Sequence, residues 1–381
     1  MIIMITYNIS QRSDEPKYYY LYKQIKKDIL TGAIASGDKL PSKRNLAEHL
    51  GISLITVENA YSMLKDEGYI ETRERSGYYV SRINVQAKPH DVMKKLDFLP
   101  ETDDAKAGSG IEENEPTKEF EPSDFPTSLY FKTVRSVISD YGERLLKKSP
   151  NEGCAILRNS IANYLMRYRG IIAQPKQIII GSGAEHLYGC VSRMLGKEHI
   201  YGIEDPSYMQ IQKVYEGTGA KVEKLMMGKE GIETAALDMT RADVLHVTPF
   251  HSYPSKVTAT VAKRFEYLKW AENRNGYIVE DDFDSEFFMP GKPIETLYMM
   301  DADDRVIYIN TFSNSLSPSI RMGYMILPMG LIDRYKKSSG GYSCTVPVLD
   351  QYVLAEFINK GYFEQHLSRI RRRRKMNKNT K

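Results

Sequence analysis

Two stretches of the chain place small polar residues where an anion could bind. Residues Ser182–Ala184 follow an apolar strand and open a helix, so their backbone N–H groups can cradle a phosphate. Residues Ser42–Arg44 open an earlier helix and add two basic side chains to the same arrangement. An ordinary strand-to-helix turn explains Ser182–Ala184 equally well. The pattern therefore predicts a phosphate contact at Ser42–Arg44 and allows one at Ser182–Ala184.

A cluster of carboxylates forms another candidate site directly after a predicted strand. Its members are Asp281, Asp282, Asp284 and Glu286. An oxygen-rich cluster of this kind can bind a divalent cation. Alternatively, Asp281 acts alone, because a carboxylate at the end of a buried strand can pair with a cationic ligand atom. We prefer the second interpretation and predict no metal site.

The size and composition of the chain are those of a globular protein with more than one domain. At 381 residues, with 41% hydrophobic and 27% charged residues, it can bury a sizeable core. No apolar run approaches the roughly 20 residues that span a bilayer, so we expect no membrane association. Its three cysteines are widely spaced, which excludes a disulfide framework and fits the reducing cytoplasm.

The net charge of +4 is unevenly distributed. Residues 369–381 contain eight basic residues and no acid, which leaves a net charge of −4 on the rest of the chain. A basic tail can bind nucleic acid by releasing counterions. We prefer the simpler interpretation, solvated charge at a chain end.

The N-terminal part is predicted to be a small helical domain that ends in a hairpin. Apolar residues recur at helical spacing over 21–30 and again over 57–64, and a short helix between them ends at Gly51. Residues 69–73 and 78–81 are predicted to be two strands joined by a turn. Three helices followed by a hairpin describe a winged helix-turn-helix.

The remainder divides into a linker and a larger α/β part. Residues 85–125 carry five lysines and eleven acids with little periodicity, which is typical of a linker. From residue 126 apolar strands alternate with amphipathic helices such as Glu185–Leu195 and Val261–Arg274. The alternation predicts a mostly parallel sheet with crossover helices. The predicted strands are Gln177–Ile180, His199–Ile203, Lys221–Leu225, Val244–Thr248, Tyr277–Glu280, Val306–Ile309 and Gly323–Leu327.

The segments Leu40–Ala47, Leu50–Ser53, Thr56–Tyr61 and Glu67–Ile70 together resemble the GntR family of bacterial repressors. The match covers roughly residues 18–82 and implies binding to double-stranded operator DNA. By resemblance, the contacts come from two helix starts and the wing. The residues concerned are Ser42, Lys43, Arg44, Ser53, Thr56, Asn59, Arg75, Ser76 and Gly77.

Three residues depart from the GntR pattern. Leu54 and Ile55 stand where relatives usually have Arg and then Asn, and Arg75 stands where the wing usually has Gly. An Arg at the position of Leu54 would contact phosphate or guanine. We therefore expect Leu54 to weaken or redirect the contact with DNA.

The larger part resembles fold-type I aminotransferases, in the arrangement found in MocR regulators, from about Pro126 to Arg374. The strings that carry the likeness are Gly181–Glu185, Glu204–Tyr208, Thr248–Pro254, Glu280–Phe287 and Thr311–Tyr324. The resemblance implies a three-layer α/β/α domain and a pyridoxal phosphate site. Its implied ligands are Ser182, Gly183, Ala184, Ser313 and Arg321 on the phosphate, Tyr208 over the ring and Asp281 on the pyridine nitrogen.

Several departures from this second family concern its chemistry. Asn314 stands where the family has the lysine that forms the Schiff base, and an amide nitrogen cannot form an imine. Phe283 replaces a tyrosine, and Lys256 replaces a glycine in a tight turn. The chain also stops at residue 381, so we expect the family's C-terminal small domain, with its carboxylate-binding arginine, to be absent.

The sequence thus predicts an α/β protein with an N-terminal winged helix-turn-helix domain (1–84), an acidic linker (85–125) and a truncated aminotransferase-like domain (126–381). We predict a cytoplasmic regulator that binds operator DNA as a homodimer. Its body serves dimerisation and the sensing of an amino acid or pyridoxal phosphate without catalysis, and it binds that cofactor weakly and non-covalently or not at all. One alternative is a competent pyridoxal phosphate-dependent sensor or aminotransferase, which holds the cofactor without a covalent bond or through another lysine such as Lys256. Another alternative is a non-functional remnant.

Overall fold

The computed structural model describes residues 6–7, 16–73, 77–81, 124–283, 285–287 and 295–378. Contacts divide the chain into two units, one of residues 1–94 with 259–266 and one of residues 95–258 with 267–381. Nearly all of the predicted linker lies outside the described residues, so its limits stay a prediction. No helix in the described part is both long and apolar enough to cross a membrane.

The first unit is built from three helices and a two-stranded antiparallel hairpin. The elements are α1 (Lys17–Leu30), α2 (Lys43–Leu50), α3 (Leu54–Asp66), β1 (Ile70–Arg73) and β2 (Gly77–Val80). The predicted apolar faces form the core, which includes Leu21 and Ile25 of α1 with Val57 and Tyr61 of α3. Gly51 ends α2 at φ 60°, in the left-handed region that glycine adopts at low cost. The prediction of a winged helix-turn-helix is confirmed.

The second unit contains a seven-stranded sheet in the order β3-β9-β8-β7-β6-β4-β5. The strands are β3 (Ile178–Gly181), β4 (Ile200–Asp205), β5 (Lys221–Met226), β6 (Val244–Val247), β7 (Tyr277–Asp281), β8 (Val306–Thr311) and β9 (Gly323–Ile326). Strands β4 to β8 pair in parallel, whereas β9 runs antiparallel to both β8 and β3. Residues 312–322 join β8 to β9, and this connection is shorter than the dozen or so residues that a parallel crossover requires.

Helices cover both faces of this sheet. Along the rest of the chain the helices are α4 (Thr127–Tyr141), α5 (Ala155–Tyr164), α6 (Ala184–Leu195), α7 (Met209–Gly217), α8 (Thr234–Met239), α9 (Val261–Arg274), α10 (Leu297–Met300), α11 (Phe312–Ser315), α12 (Ile332–Ser339), α13 (Val348–Asn359) and α14 (Tyr362–Lys378). One core packs α5, α13 and α14 against the sheet, and the other packs α6, α7 and α12. Ile178 and Ile180 of β3 enter the first core and Ile179 enters the second, because alternate side chains of a strand point to opposite faces. The predicted three-layer α/β/α architecture is confirmed.

Candidate functional sites

The first candidate site is the pair of capped helix starts in the first unit. Ser42 caps α2 by accepting a hydrogen bond from the backbone N–H of Asn45 at 3.2 Å. Ser53 caps α3 in the same way, accepting from the N–H of Thr56 at 3.2 Å, and the hydroxyls of Ser53 and Thr56 lie 2.7 Å apart. These caps stabilise both helix starts by about 1 kcal/mol each. The serines and Thr56 therefore fix the geometry of the two helix starts.

The two basic side chains at the start of α2, those of Lys43 and Arg44, differ in their ion pairing. The Nζ of Lys43 lies 2.6 Å from Glu58 of α3, and this hydrogen bond raises the pKa of Lys43 above its usual value. Arg44 is exposed next to it, and Asn59 is exposed on α3. Gly77 begins β2 at φ 111°, which glycine tolerates, while Arg75 and Ser76 lie outside the described residues. Glu58 thus neutralises Lys43, whereas Arg44 has no carboxylate partner among the described residues.

The second candidate site is a cleft in the second unit with an empty volume of about 520 Å³. The residues that line it are Ala184, Tyr188, Tyr208, Ile211, Thr248, Tyr253, Asp281, Phe283, Thr311 and Asn314. Thr248 follows β6, Asp281 ends β7 and Thr311 ends β8, so three neighbouring parallel strands deliver these groups at their carboxyl ends. Ligand sites in open α/β sheets lie at this edge. Four of the eight predicted cofactor residues line the cleft.

The other four predicted residues surround the start of α6 or adjoin the cleft in sequence. Gly183 precedes α6 at φ 91°, and a Cβ there would lie 4.0 Å from the guanidinium carbon of Arg321. Arg321 itself adopts φ 43°. The hydroxyl of Thr345 donates to that of Ser182 at 2.9 Å. Ser313 is buried, and its Oγ has no hydrogen-bond partner among the described residues. A helix start with an arginine beside it suits a phosphate, and the hydroxyl of Ser313 is a further unpartnered group next to Asn314 in the chain.

Asp281 lies at the bottom of the cleft and is only 4% exposed. Its Oδ2 accepts a hydrogen bond from the hydroxyl of Tyr188 and lies 3.9 Å from Nε2 of His246. The other ring nitrogen of His246 is 2.8 Å from the hydroxyl of Tyr215. Among the described residues, Oδ1 of Asp281 has no partner. One oxygen is thus fixed by the protein, and the other can accept from a cationic ring nitrogen.

Asn314 occupies the cleft with a defined amide orientation. Its Nδ2 donates to the backbone carbonyl of Phe283 at 3.2 Å. Because that carbonyl can only accept, the nitrogen must face Phe283. The amide oxygen is therefore available as an acceptor, and none of the described residues that line the cleft is a lysine.

The buried carboxylates beside Asp281 have a structural partner. The guanidinium of Arg169 lies 2.7 Å from Asp282 and 3.5 Å from Glu286, and all three side chains are buried. Asp282 also accepts from Tyr308 at 2.7 Å, and burial raises the pKa of Glu286 although Arg169 opposes that shift. Within the described residues, which omit Asp284, no group of three or more potential metal ligands occurs. The geometry gives the metal interpretation no support.

Lys256 lies outside the lining of the cleft, in a turn that follows the lining residue Tyr253. Its φ is 59°, so the backbone keeps the left-handed conformation for which glycine is favoured. The lysine at this position therefore keeps the backbone conformation of a tight turn, at the cost of the strain that a non-glycine residue has in that region.

Sequence reasoning missed Tyr188, which lines the cleft, and Thr345, which contacts Ser182 beside it. Tyr188 lies one helical turn after Ala184 on α6, and that spacing could have identified it. Thr345 meets Ser182 from a distant part of the chain, with no local sequence signal.

Known proteins resemble each unit. The family described as "Bacterial regulatory proteins, gntR family" matches residues 17–80. The uncharacterized HTH-type transcriptional regulator YdeL of Bacillus subtilis (strain 168) is 35% identical over 373 residues, covering 97% of this chain and 79% of that protein. The probable rhizopine catabolism regulatory protein MocR of Rhizobium meliloti is 30% identical over 391 residues, covering 96% and 76%.

Among solved structures, the kynurenine aminotransferase of Pyrococcus horikoshii in complex with PMP, KYN and KYA aligns with a TM-score of 0.59 at 24% identity. That alignment covers 66% of this chain and 64% of the enzyme, just under two thirds of its length. The α-aminoadipate aminotransferase LysN of Thermus thermophilus aligns with a TM-score of 0.59 at 25% identity, covering 66% and 65%. These likenesses show that the second unit has the aminotransferase fold. Together with the regulators matched over nearly the whole chain, they show that this protein belongs to the MocR type of GntR-family DNA-binding transcriptional regulators.

Proposed function

We propose that the second unit of this regulator binds a phosphorylated pyridine of the pyridoxal phosphate class without a covalent bond and without catalysis. The observation that carries the proposal is Asn314. It lies in a cleft that otherwise offers a phosphate cradle and a carboxylate for a ring nitrogen. The regulator acts on operator DNA, and we place it in the cytoplasm, where bacterial DNA is found.

The residues of the cleft fit the proposed ligand at both ends. The N–H groups of Ser182–Ala184 with Ser313 and Arg321 would hold its phosphate, and Oδ1 of Asp281 would accept from its pyridine nitrogen. The side chain of Tyr208, which lines the cleft, would cover a ring face. When bound, pyridoxal phosphate supplies an electron-withdrawing ring and an aldehyde. The buried, partnerless oxygens of Asp281 and Ser313 support this fit.

Two of the described residues that line the cleft, Asn314 and Phe283, cannot supply the proton transfers of the lysine and tyrosine that they replace. An amide is neither a nucleophile nor a base near neutral pH, so Asn314 can only form hydrogen bonds. Phe283 contributes a ring to the lining and no hydroxyl. The chain's own residues therefore bind and orient a ligand, which is what a sensor requires.

We also propose that the protein works as a homodimer. One winged helix-turn-helix domain presents a small contact surface to DNA. When two such domains are linked in a dimer, binding of the first to one half-site raises the effective concentration of the second at the other half-site, and the overall affinity increases. Phe131 and Ile138 are each 52% exposed on α4, and such apolar side chains suit a subunit interface. Light scattering that shows a monomer at micromolar concentration, with no change when DNA is added, would contradict this part.

The test of ligand binding uses the purified full chain and two ligands, pyridoxal phosphate and pyridoxamine phosphate. We expect reversible binding by calorimetry. After borohydride treatment with one equivalent of pyridoxal phosphate, we expect no stoichiometric adduct on any single lysine. A stoichiometric adduct on Lys256 or another single lysine would overturn the non-covalent proposal in favour of a competent pyridoxal phosphate sensor. Transaminase turnover with any amino acid would overturn the non-catalytic one.

A further inference from the structure

The outward face of α3 is apolar at the end where this helix meets DNA. Leu54 is 40% exposed and Ile55 is 68% exposed, whereas the opposite face of the helix is buried in the core of the first unit. Large apolar side chains in the first turn of a helix, next to the capping Ser53, gain nothing from exposure to water. Their position is therefore informative about what covers them.

The chemistry of this face excludes one common way of reading DNA. Guanine is usually recognised by Arg or Lys, and α3 has no basic residue before Lys65 in its last turn. Glu58, also on this face, is held by Lys43 at 2.6 Å. Apart from Glu58, the exposed side chains over residues 54–59 are Leu54, Ile55 and Asn59, with the half-buried Thr56 between them.

Each of these three side chains matches a group that an A·T pair displays in the major groove. The C5-methyl group of thymine is the apolar feature of that groove, and an Asn side chain can bond both N6 and N7 of adenine. Asn59 lies one helical turn after Ile55, so the two can address the same or the next base pair. Arg44, exposed in the first turn of α2, supplies a cation for the adjoining phosphates.

We infer that Leu54 and Ile55 are specificity-determining residues that contact thymine methyl groups, so that α3 selects A·T pairs in each half-site. The inference rests on operator binding by the first unit. It names the base feature that is read, which the family likeness does not supply.

The test starts from a duplex selected out of a random pool by the full-length protein. Each thymine in the selected half-site is then replaced by uracil, which pairs identically and lacks only the methyl group. We expect wild-type affinity to fall about fourfold for each contacted methyl group removed, the value for one buried methyl group. Replacements outside the contacted positions should have no effect.

The protein side of the test uses Leu54→Ala and Ile55→Ala. Both side chains are exposed, so the variants should keep the melting temperature of the wild type. Each variant should bind the thymine duplex more weakly than the wild type does. When uracil replaces the thymine that the missing side chain contacts, the affinity of the variant should change less than about 1.5-fold, which a double-mutant cycle measures. Ile172→Ala, at an exposed isoleucine outside both α3 and α4, is the matched control and should behave as wild type.

Three outcomes would overturn the inference. In the first, the affinity of the wild type is unchanged by uracil at every position. In the second, both variants still lose affinity when uracil replaces thymine. Either result means that these residues do not contact the methyl groups. Loss of self-association in Leu54→Ala and Ile55→Ala, with DNA affinity unchanged, means that the face contacts protein. Failure of every duplex to bind even at low salt would instead refute DNA binding by this unit as a whole.

Discussion

Removal of the Arg321 guanidinium should weaken the binding of phosphorylated ligands only. Its guanidinium carbon lies 4.0 Å from the position that a Cβ on Gly183 would take, directly at the start of α6. A phosphate bound there would receive at least one charge-assisted hydrogen bond from this side chain. Such bonds contribute about 1.5–3 kcal/mol, which corresponds to about a 10- to 150-fold change in affinity.

The assay is calorimetric titration of wild type and Arg321→Gln with pyridoxamine phosphate and with pyridoxamine. The amine avoids covalent reaction with surface lysines, and the pair of ligands differs only in the phosphate. We expect the variant to lose about 10- to 150-fold in affinity for the phosphate ester and less than about threefold for pyridoxamine. Arg241→Gln, which removes an exposed arginine outside the lining of the cleft, is the control.

Two results would refute this reasoning. A loss below about threefold for the phosphate ester means that the start of α6 is not the phosphate site. An equal loss for both ligands means that Arg321 shapes the cleft rather than binds phosphate. Matching melting temperatures of wild type and variant exclude a folding defect as the cause.

Three further predictions concern single residues. Asn314→Lys places an amine in the cleft, so pyridoxal phosphate should give this variant a borohydride-stable adduct that peptide mapping places at position 314, where the wild type has none. No adduct at that position at millimolar ligand would mean that the cleft has diverged beyond one residue. Arg44→Ala should weaken binding to all duplexes and lower the salt dependence by about one phosphate contact. Arg241→Ala, at another exposed arginine, should do neither. Equal affinity of Arg44→Ala and wild type would refute the predicted contact. Burial raises the pKa of Glu204 from its ordinary value to about 8, so its contribution to stability is complete below its unfolded pKa and is lost as the pH rises toward 8. Relative to Glu204→Gln, the wild type should therefore lose stability as the pH rises from about 5 to 8 in thermal unfolding, on the order of 1 kcal/mol per pH unit. Parallel stability curves of the two proteins would contradict the raised pKa.

The local pattern of the chain was sufficient for the elements and for which residues could do chemistry. The predicted helix over 261–274 matches α9, and each predicted strand from β3 to β9 begins within one residue of the observed one. Helical and strand periodicities, caps and glycines are properties of neighbouring residues, so they can be read without the fold. Asn314 belongs to the same category, because the identity of one side chain already excludes an imine.

Tertiary structure decided how those residues are combined. Only the sheet order brings the ends of β6, β7 and β8 together at the cleft, and only the fold shows that β9 runs against its neighbours. The hydrogen bond from Tyr188 to Asp281 and the pairing of Arg169 with Asp282 join residues about a hundred positions apart. The charge on a buried carboxylate depends on such partners, and spacing along a chain does not record them. For that reason the sequence could name a cluster of acids, while the fold showed which of them is held by an arginine and which one faces the cleft.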